Sequence, residues 1–136
     1  MDNEKSDMST EIGIRQTGGI LILSPRGRLV FGTGDVLRQT LLTQFDQGHH
    51  RILVDLSQVD FLDSMSIGDL VGAYASITRR GGAMALLNPT KPVRESLRIT
   101  HMDQLFPIHT SEAAAAAGLN SSSSGSRATL DDFLDS

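Results

Sequence analysis

The chain contains no cysteine and no tryptophan, and its 136 residues include only five phenylalanines and one tyrosine. Without cysteine, disulfide scaffolds, thiol nucleophiles and cysteine-ligated zinc are excluded. With so few aromatic rings, the core has to be aliphatic. Apolar runs are short, and none approaches the ~20 residues of a membrane-crossing helix. No Gly-Lys-Ser/Thr phosphate loop occurs, and Gly32-Thr33-Gly34 lacks the third glycine of a dinucleotide fingerprint. Strong charge of one sign is missing as well. The net charge is -4, but residues 12–118 carry ten basic and nine acidic side chains, so the acidity sits at the two ends. A body this close to neutral has no basic footprint for phosphate backbones, and no direct nucleic-acid contact is expected. His49 and His50 are adjacent and diverge, and His101 and His109 stand alone, so no metal site is expected. Acids in Met1–Asp7 stand where a secretory leader has a basic and then an apolar stretch, and a cytoplasmic location without membrane insertion is expected.

What is present alternates between strand and helix signals. Ile12–Gln16 and Ile20–Leu23 flank Thr17-Gly18-Gly19, the pattern of a tight hairpin. Pro25 and Gly27 close the second run, and Leu29-Val30-Phe31 predicts a further short strand. Thr33 is the expected N-cap of a helix whose core stripe is Val36, Leu37, Thr40, Leu41 and Phe45, stopping at Gly48. Ile52-Leu53-Val54 reads as a strand buried on both faces. A second helix runs from Ser64 to Arg80, with Ile67, Leu70, Val71, Tyr74 and Ile77 facing inward. Arg79-Arg80 suits its C-terminal dipole. Met84–Leu87 predicts another inner strand, and Val93, Leu97 and Thr100 a third helix. A brief strand follows Pro107, then a fourth helix from Ser111 through the alanine run to Gly118. These elements predict an α/β fold with a mixed sheet of four to five strands and about four helices. The expected organisation is a flexible N-terminus over residues 1–10, one domain over 11–118, and a Ser-rich linker with an acidic disordered tail over 119–136.

The most informative stretch is Val54-Asp-Leu-Ser-Gln-Val-Asp-Phe-Leu-Asp63-Ser64-Met65-Ser66-Ile67-Gly68. A buried strand leads into a loop that presents Asp63-Ser64 at the start of a helix. There the first backbone N–H groups lack partners and carry partial positive charge. Asp63 or Ser64 can serve as a structural N-cap. A phosphate on Ser64 would suit the same terminus, and would add about -1.5 to -2 charges beside Asp63. Gly68, Gly72 and Ser76 form a small-residue stripe that permits close approach of another backbone. Met65 is either a partner-facing anchor or a core filler.

This segment resembles the phosphorylation-site region of STAS domains, in particular those of bacterial anti-sigma factor antagonists. Asp55-Leu56-Ser57, Val59, Phe61 and Asp63-Ser64 match the pattern in order and spacing, and Gly27-Arg28-Leu29 and Gly82–Asn88 extend the similarity. The resemblance implies a STAS-like fold and a switch module with no catalytic residue and no cofactor. An unphosphorylated antagonist of this kind binds an anti-sigma factor, often an ATP-dependent serine kinase, and a serine phosphatase reverses the modification. Carried over by position, the acceptor is Ser64, with Ser66 as the alternative. The implied partner surface is Phe61, Asp63, Ser64, Met65, Gly68, Asp69 and Gly72. A second expectation within the same fold is an accessory subunit of a transport or signalling assembly that binds partners without phosphorylation.

An enzyme is the third possibility. Ser64-Met65-Ser66-Ile67-Gly68 resembles a nucleophile elbow with its first glycine replaced, and Asp103 and His109 are available partners. An elbow follows its strand directly, however, whereas eight residues (Leu56–Asp63) precede Ser64 here. The expectation is therefore a binding protein rather than an enzyme.

Overall fold

The computed structural model describes residues 11–121. Strand β1 (Glu11–Thr17) turns into β2 (Ile20–Leu29), followed by α1 (Gly34–Asp46), β3 (Arg51–Asp55), β4 (Val59–Leu62) and α2 (Ser64–Arg79). Then come β5 (Ala83–Leu87), α3 (Lys91–Ile99), a 3-10 turn (Met102–Gln104), β6 (Ile108–His109) and α4 (Glu112–Ser121). The sheet runs β1-β2-β3-β5-β6, with β4 attached to the far end of β2. Only the β1–β2 pair is antiparallel. The expected α/β architecture is present, with six strands instead of four or five.

Gly18 and Gly19 both have positive φ (55° and 81°), the conformation a two-residue type I′ hairpin demands. The expected strand at Leu29–Phe31 is corrected: β2 runs unbroken through Pro25 and Gly27 to Leu29. Thr17 and Ile20 close the hairpin as a hydrogen-bonded pair, so strict alternation makes Ile12–Pro25 a non-bonded pair. Pro25 then turns its missing N–H away from β1. On that side β3 pairs only as far as Leu23 and β4 begins only at Gly27, so no rung is lost.

Two apolar layers sandwich the sheet. On one face α1, α2 and α3 bury Leu37, Leu41, Phe45, Ile67, Leu70, Ile77, Val93 and Leu97 against Leu21, Leu23, Ile52, Val54 and Leu86. On the other, Ala115 and Leu119 of α4 cover Ile20, Ile22, Leu53, Ala85 and Leu87. The alternation of Leu21 and Leu23 against Ile20 and Ile22 follows from the two-residue period of a strand. Val36, assigned to the α1 core stripe from spacing, faces out instead.

The expected stop at Gly118 is also corrected. Helix α4 continues to Ser121, because the next residue, Leu119, is buried in the second core layer. A chain ended after Gly118 should therefore be less stable than one ended after Ser121, by about 2 kcal/mol for a lost buried leucine. Urea midpoints of the two truncations check this. The expected flexible segment 1–10 and the tail beyond residue 121 lie outside the described residues.

Candidate functional site

Parallel strands β2 and β4 end side by side, with Leu29 paired to Leu62 and Arg28 to Phe61. Each strand then delivers its chain into a helix. After β2 the turn Val30–Thr33 leads into α1, and after β4 the single residue Asp63 leads into α2. The first turns of the two helices touch: a Cβ on Gly34 would lie 2.4 Å from Ser66 Oγ and 3.0 Å from Ser66 Cα. Two helix N-termini are thus brought together at one end of the sheet.

Asp63 is the N-cap of α2. Its extended backbone (φ -89°, ψ 176°) turns the carboxylate over the helix start, where Oδ1 accepts from Ser66 N–H at 2.9 Å. Its Oδ2 accepts from Phe31 N–H at 3.1 Å, and its own N–H donates to Leu29 O at 3.2 Å. Partial burial pushes the Asp63 pKa up. The donated hydrogen bonds outweigh this, those around Ser66 most and those from the Phe31 and Met65 N–H groups less, and the carboxyl lies below its ordinary range. Of the two caps left open by the sequence, Asp63 is the one formed. Ser64 occupies the first helical position with its side chain exposed.

Thr33 stands at the N-cap position of α1, but its side chain does not cap the helix. Thr33 Oγ1 accepts from Val30 N–H at 2.8 Å and lies 3.0 Å from both Arg28 O and Val30 O, closing the turn on itself.

The other implied site residues divide by exposure. Phe61 lies under the Arg28 guanidinium, 4.9 Å from its ring centre. Gly68 faces open space. Asp69 pairs with Arg38 of α1 at 3.6 Å, and the Arg38 stem passes over Gly72. Met65 is exposed, which decides between its two readings against core filler. Ser66, the alternative acceptor, is 1% exposed and packed against Gly34, so its hydroxyl is not presented at the surface as that of Ser64 is. Its Oγ makes no hydrogen bond of good geometry.

Two surface residues escaped the sequence reading. Phe31 (78% exposed) sits on the turn before α1, and Val36 (39%) in the first turn of α1. With Met65 (56%) and Phe61 (37%) they leave four large apolar side chains exposed at the end of the molecule that presents Ser64. The signal available in the sequence was an aromatic residue in a turn-forming context, Phe31-Gly32-Thr33-Gly34.

Among the described residues no group of His, Cys, Asp or Glu could hold a metal ion, and no helix is long and apolar enough to cross a membrane.

A mixed sheet clad by three helices on one face and one on the other, with a serine exposed at a helix start, makes a small α/β module. The STAS domain model matches residues 11–115, and the chain belongs to that family. It is 30% identical over 114 residues to the anti-sigma F factor antagonist of Paenibacillus polymyxa, spanning 82% of this chain and 97% of that one. Two solved structures show the same fold. An anti-sigma factor antagonist from Mycobacterium paratuberculosis superimposes with a TM-score of 0.73 at 19% identity, over 82% of this chain and 94% of its own. The phosphorylated form of the Bacillus cell fate determinant SpoIIAA gives 0.61 at 19% identity, over 79% and 97%.

Proposed function

We propose that the protein is a cytoplasmic anti-sigma factor antagonist whose binding surface is switched by phosphorylation of Ser64. The observation that carries this reading is the placement of Ser64: exposed, at the first position of α2, within a frame of exposed apolar side chains. The similarity to a relative of that name supports the partner class. In this reading the unmodified surface, built from Phe61, Asp63, Ser64, Met65, Gly68, Asp69 and Gly72, holds an anti-sigma factor of the ATP-dependent serine kinase type. The kinase transfers the γ-phosphoryl group of ATP to Ser64 Oγ. ADP leaves, and a base on the kinase takes the hydroxyl proton. A serine phosphatase restores the hydroxyl with water, releasing inorganic phosphate. The protein itself performs no catalysis and needs no cofactor.

The physics favours a switch at this position. A phosphate at a helix start is tolerated by the fold, because the first N–H groups and the dipole favour negative charge. The same dianion buried under an apolar partner is costly to desolvate, and it sits beside the ionised Asp63. Ser64→Asp should therefore fold normally yet bind its partner about thirtyfold more weakly, the effect of roughly 2 kcal/mol at an interface. Pull-down from native cytosol with wild type and Ser64→Asp in parallel, followed by calorimetry on the recovered partner, tests this. A kinase-type anti-sigma factor held by wild type and released by the variant is the expected result. Equal retention of transporter or scaffold components by both baits would replace it with the accessory-subunit reading.

A further inference from the structure

We infer that the partner surface extends across to the β2–α1 turn, with Phe31 as an apolar anchor and Asp63 as the positioning residue that holds it. This rests on the anti-sigma partner proposed above, and commits to that partner as the occupant: a protein surface with an apolar pocket deep enough for one aromatic ring.

The ring of Phe31 is 78% exposed, the largest exposure among the exposed large apolar side chains of the described residues. A free aromatic side chain on a loose loop would be a poor anchor, because binding would have to order the loop. The backbone beneath Phe31 is instead fixed on both sides. Val30 N–H is held by Thr33 Oγ1, while Thr33 N–H and Gly34 N–H both donate to Val30 O, at 2.8 and 2.9 Å. Those bonds keep the turn to its own shape. Asp63 N–H also donates to Leu29 O at the end of β2, and the side-chain hydrogen bond from the turn itself to the start of α2 is Phe31 N–H to Asp63 Oδ2. Through its other oxygen the same carboxylate caps the helix that begins with Ser64 and Met65. The Asp63 side chain thus ties the Phe31 backbone to the helix start that carries the serine.

A preorganised aromatic, flanked by further apolar side chains and next to groups that exclude water, is the usual form of an interface hot spot. Met65 and Val36 are likewise exposed, on the first turns of α2 and α1, and those turns meet at Gly34 and Ser66. The surface is therefore bipartite. Ser64 supplies the switch, and Phe31 supplies affinity that does not depend on phosphate chemistry.

The experiment is a double-mutant cycle on Phe31→Ala and Asp63→Asn, titrated against the kinase-type anti-sigma factor recovered with the wild-type protein, with amide hydrogen exchange read on the free protein. Asparagine has a single side-chain oxygen and is a good N-cap, so Asp63→Asn keeps Ser66 N–H capped and turns an N–H donor toward Phe31 N–H. The Phe31 amide should then exchange about tenfold faster, as expected for losing a bond to a charged acceptor. Phe31→Ala should weaken partner binding about thirtyfold, and Asp63→Asn about tenfold. In the Phe31→Ala background, Asp63→Asn should add no more than about twofold, since the ring it positions is gone. Phe31→Ala that binds within about twofold of wild type, while Ser64→Asp still loses affinity, overturns the anchor and leaves the switch standing. Fully additive losses, or a Phe31 amide as protected in Asp63→Asn as in wild type, overturn the positioning role. Retained affinity in Ser64→Asp, with Phe31→Ala impaired, defeats the phosphoswitch and not the anchor.

Discussion

Gly34→Ala is expected to destabilise the fold by about 2–3 kcal/mol, although alanine is the better helix former at almost any helical position. Propensity alone would favour the change by up to about 1 kcal/mol. Space reverses the sign. The new methyl would stand 2.4 Å from Ser66 Oγ, 2.8 Å from Ser66 Cβ and 3.0 Å from Ser66 Cα. Rotating the hydroxyl away relieves only the first of these contacts. The second and third require the first turns of α1 and α2 to separate, which disturbs the end of the molecule that presents Phe31, Met65 and Ser64. Ser66→Gly removes the side-chain half of the clash at a cost of about 1 kcal/mol, reduced by losing a buried hydroxyl without a good partner. The double variant Gly34→Ala/Ser66→Gly should therefore be more stable than Gly34→Ala alone. The coupling should be about 1–2 kcal/mol in urea denaturation. Strictly additive single effects would show that the two helices do not meet where Gly34 and Ser66 place them.

Much of the fold was legible because its elements obey single periods. The hairpin was marked by two glycines that both need positive φ, α2 by its apolar spacing, and β3 by an unbroken Ile-Leu-Val run. The strand β4 was not legible. Val59 and Leu62 are buried while Asp60 and Phe61 between them are exposed, so the segment has neither strand alternation nor a continuous apolar run. It is a strand only because the far end of β2 offers it an edge, and that edge exists only because β2 continues through Pro25. Tertiary pairing decided both together. Gly118 misled for a similar reason. A glycine after an alanine run is a fair stop signal, but burial of Leu119 outweighs the roughly 1 kcal/mol that glycine costs a helix.

The site was half legible. Asp63, Ser64 and the face of α2 follow from a contiguous segment, so spacing and capping rules reach them. Phe31 lies 33 positions before Ser64 and joins the site only through a parallel strand pairing that local pattern does not encode. The apolar triple Leu29-Val30-Phe31 read as a strand because its first member is one. The chain turns at Val30, and the last member is left exposed. Ser66 erred in the opposite direction. A serine near a helix start is usually solvated, and only the close approach of Gly34 buries this one.

Phe106→Ala should be the most damaging single truncation among the aromatic residues, costing about 3–5 kcal/mol. Phe106 is 1% exposed and meets Tyr74 of α2 edge-on, with ring centres 5.2 Å apart at 68°. With only six aromatic side chains in the chain and no tryptophan, this pair and Phe45 are the bulky members of a mostly aliphatic core. The cavity would open where α2, α3 and the 3-10 turn share the core, and short aliphatic neighbours cannot swing in to fill the volume of a ring. Against a total stability of about 5–15 kcal/mol, such a loss should lower Tm by about 10–20 °C. Phe106→Leu keeps much of the volume and should cost about a third as much. The damage should remain global rather than functional. Tyr74 lies near the middle of α2, well past the first turn that carries the candidate site, so the folded fraction of Phe106→Ala should bind the anti-sigma partner with wild-type affinity. Scanning calorimetry and partner titration below the lowered Tm separate the two readouts. Equal melting of Phe106→Ala and wild type would mean that the aromatic pair does not hold α2 on the sheet. Normal melting behaviour with lost binding would extend the partner surface into a region that the geometry assigns to the core.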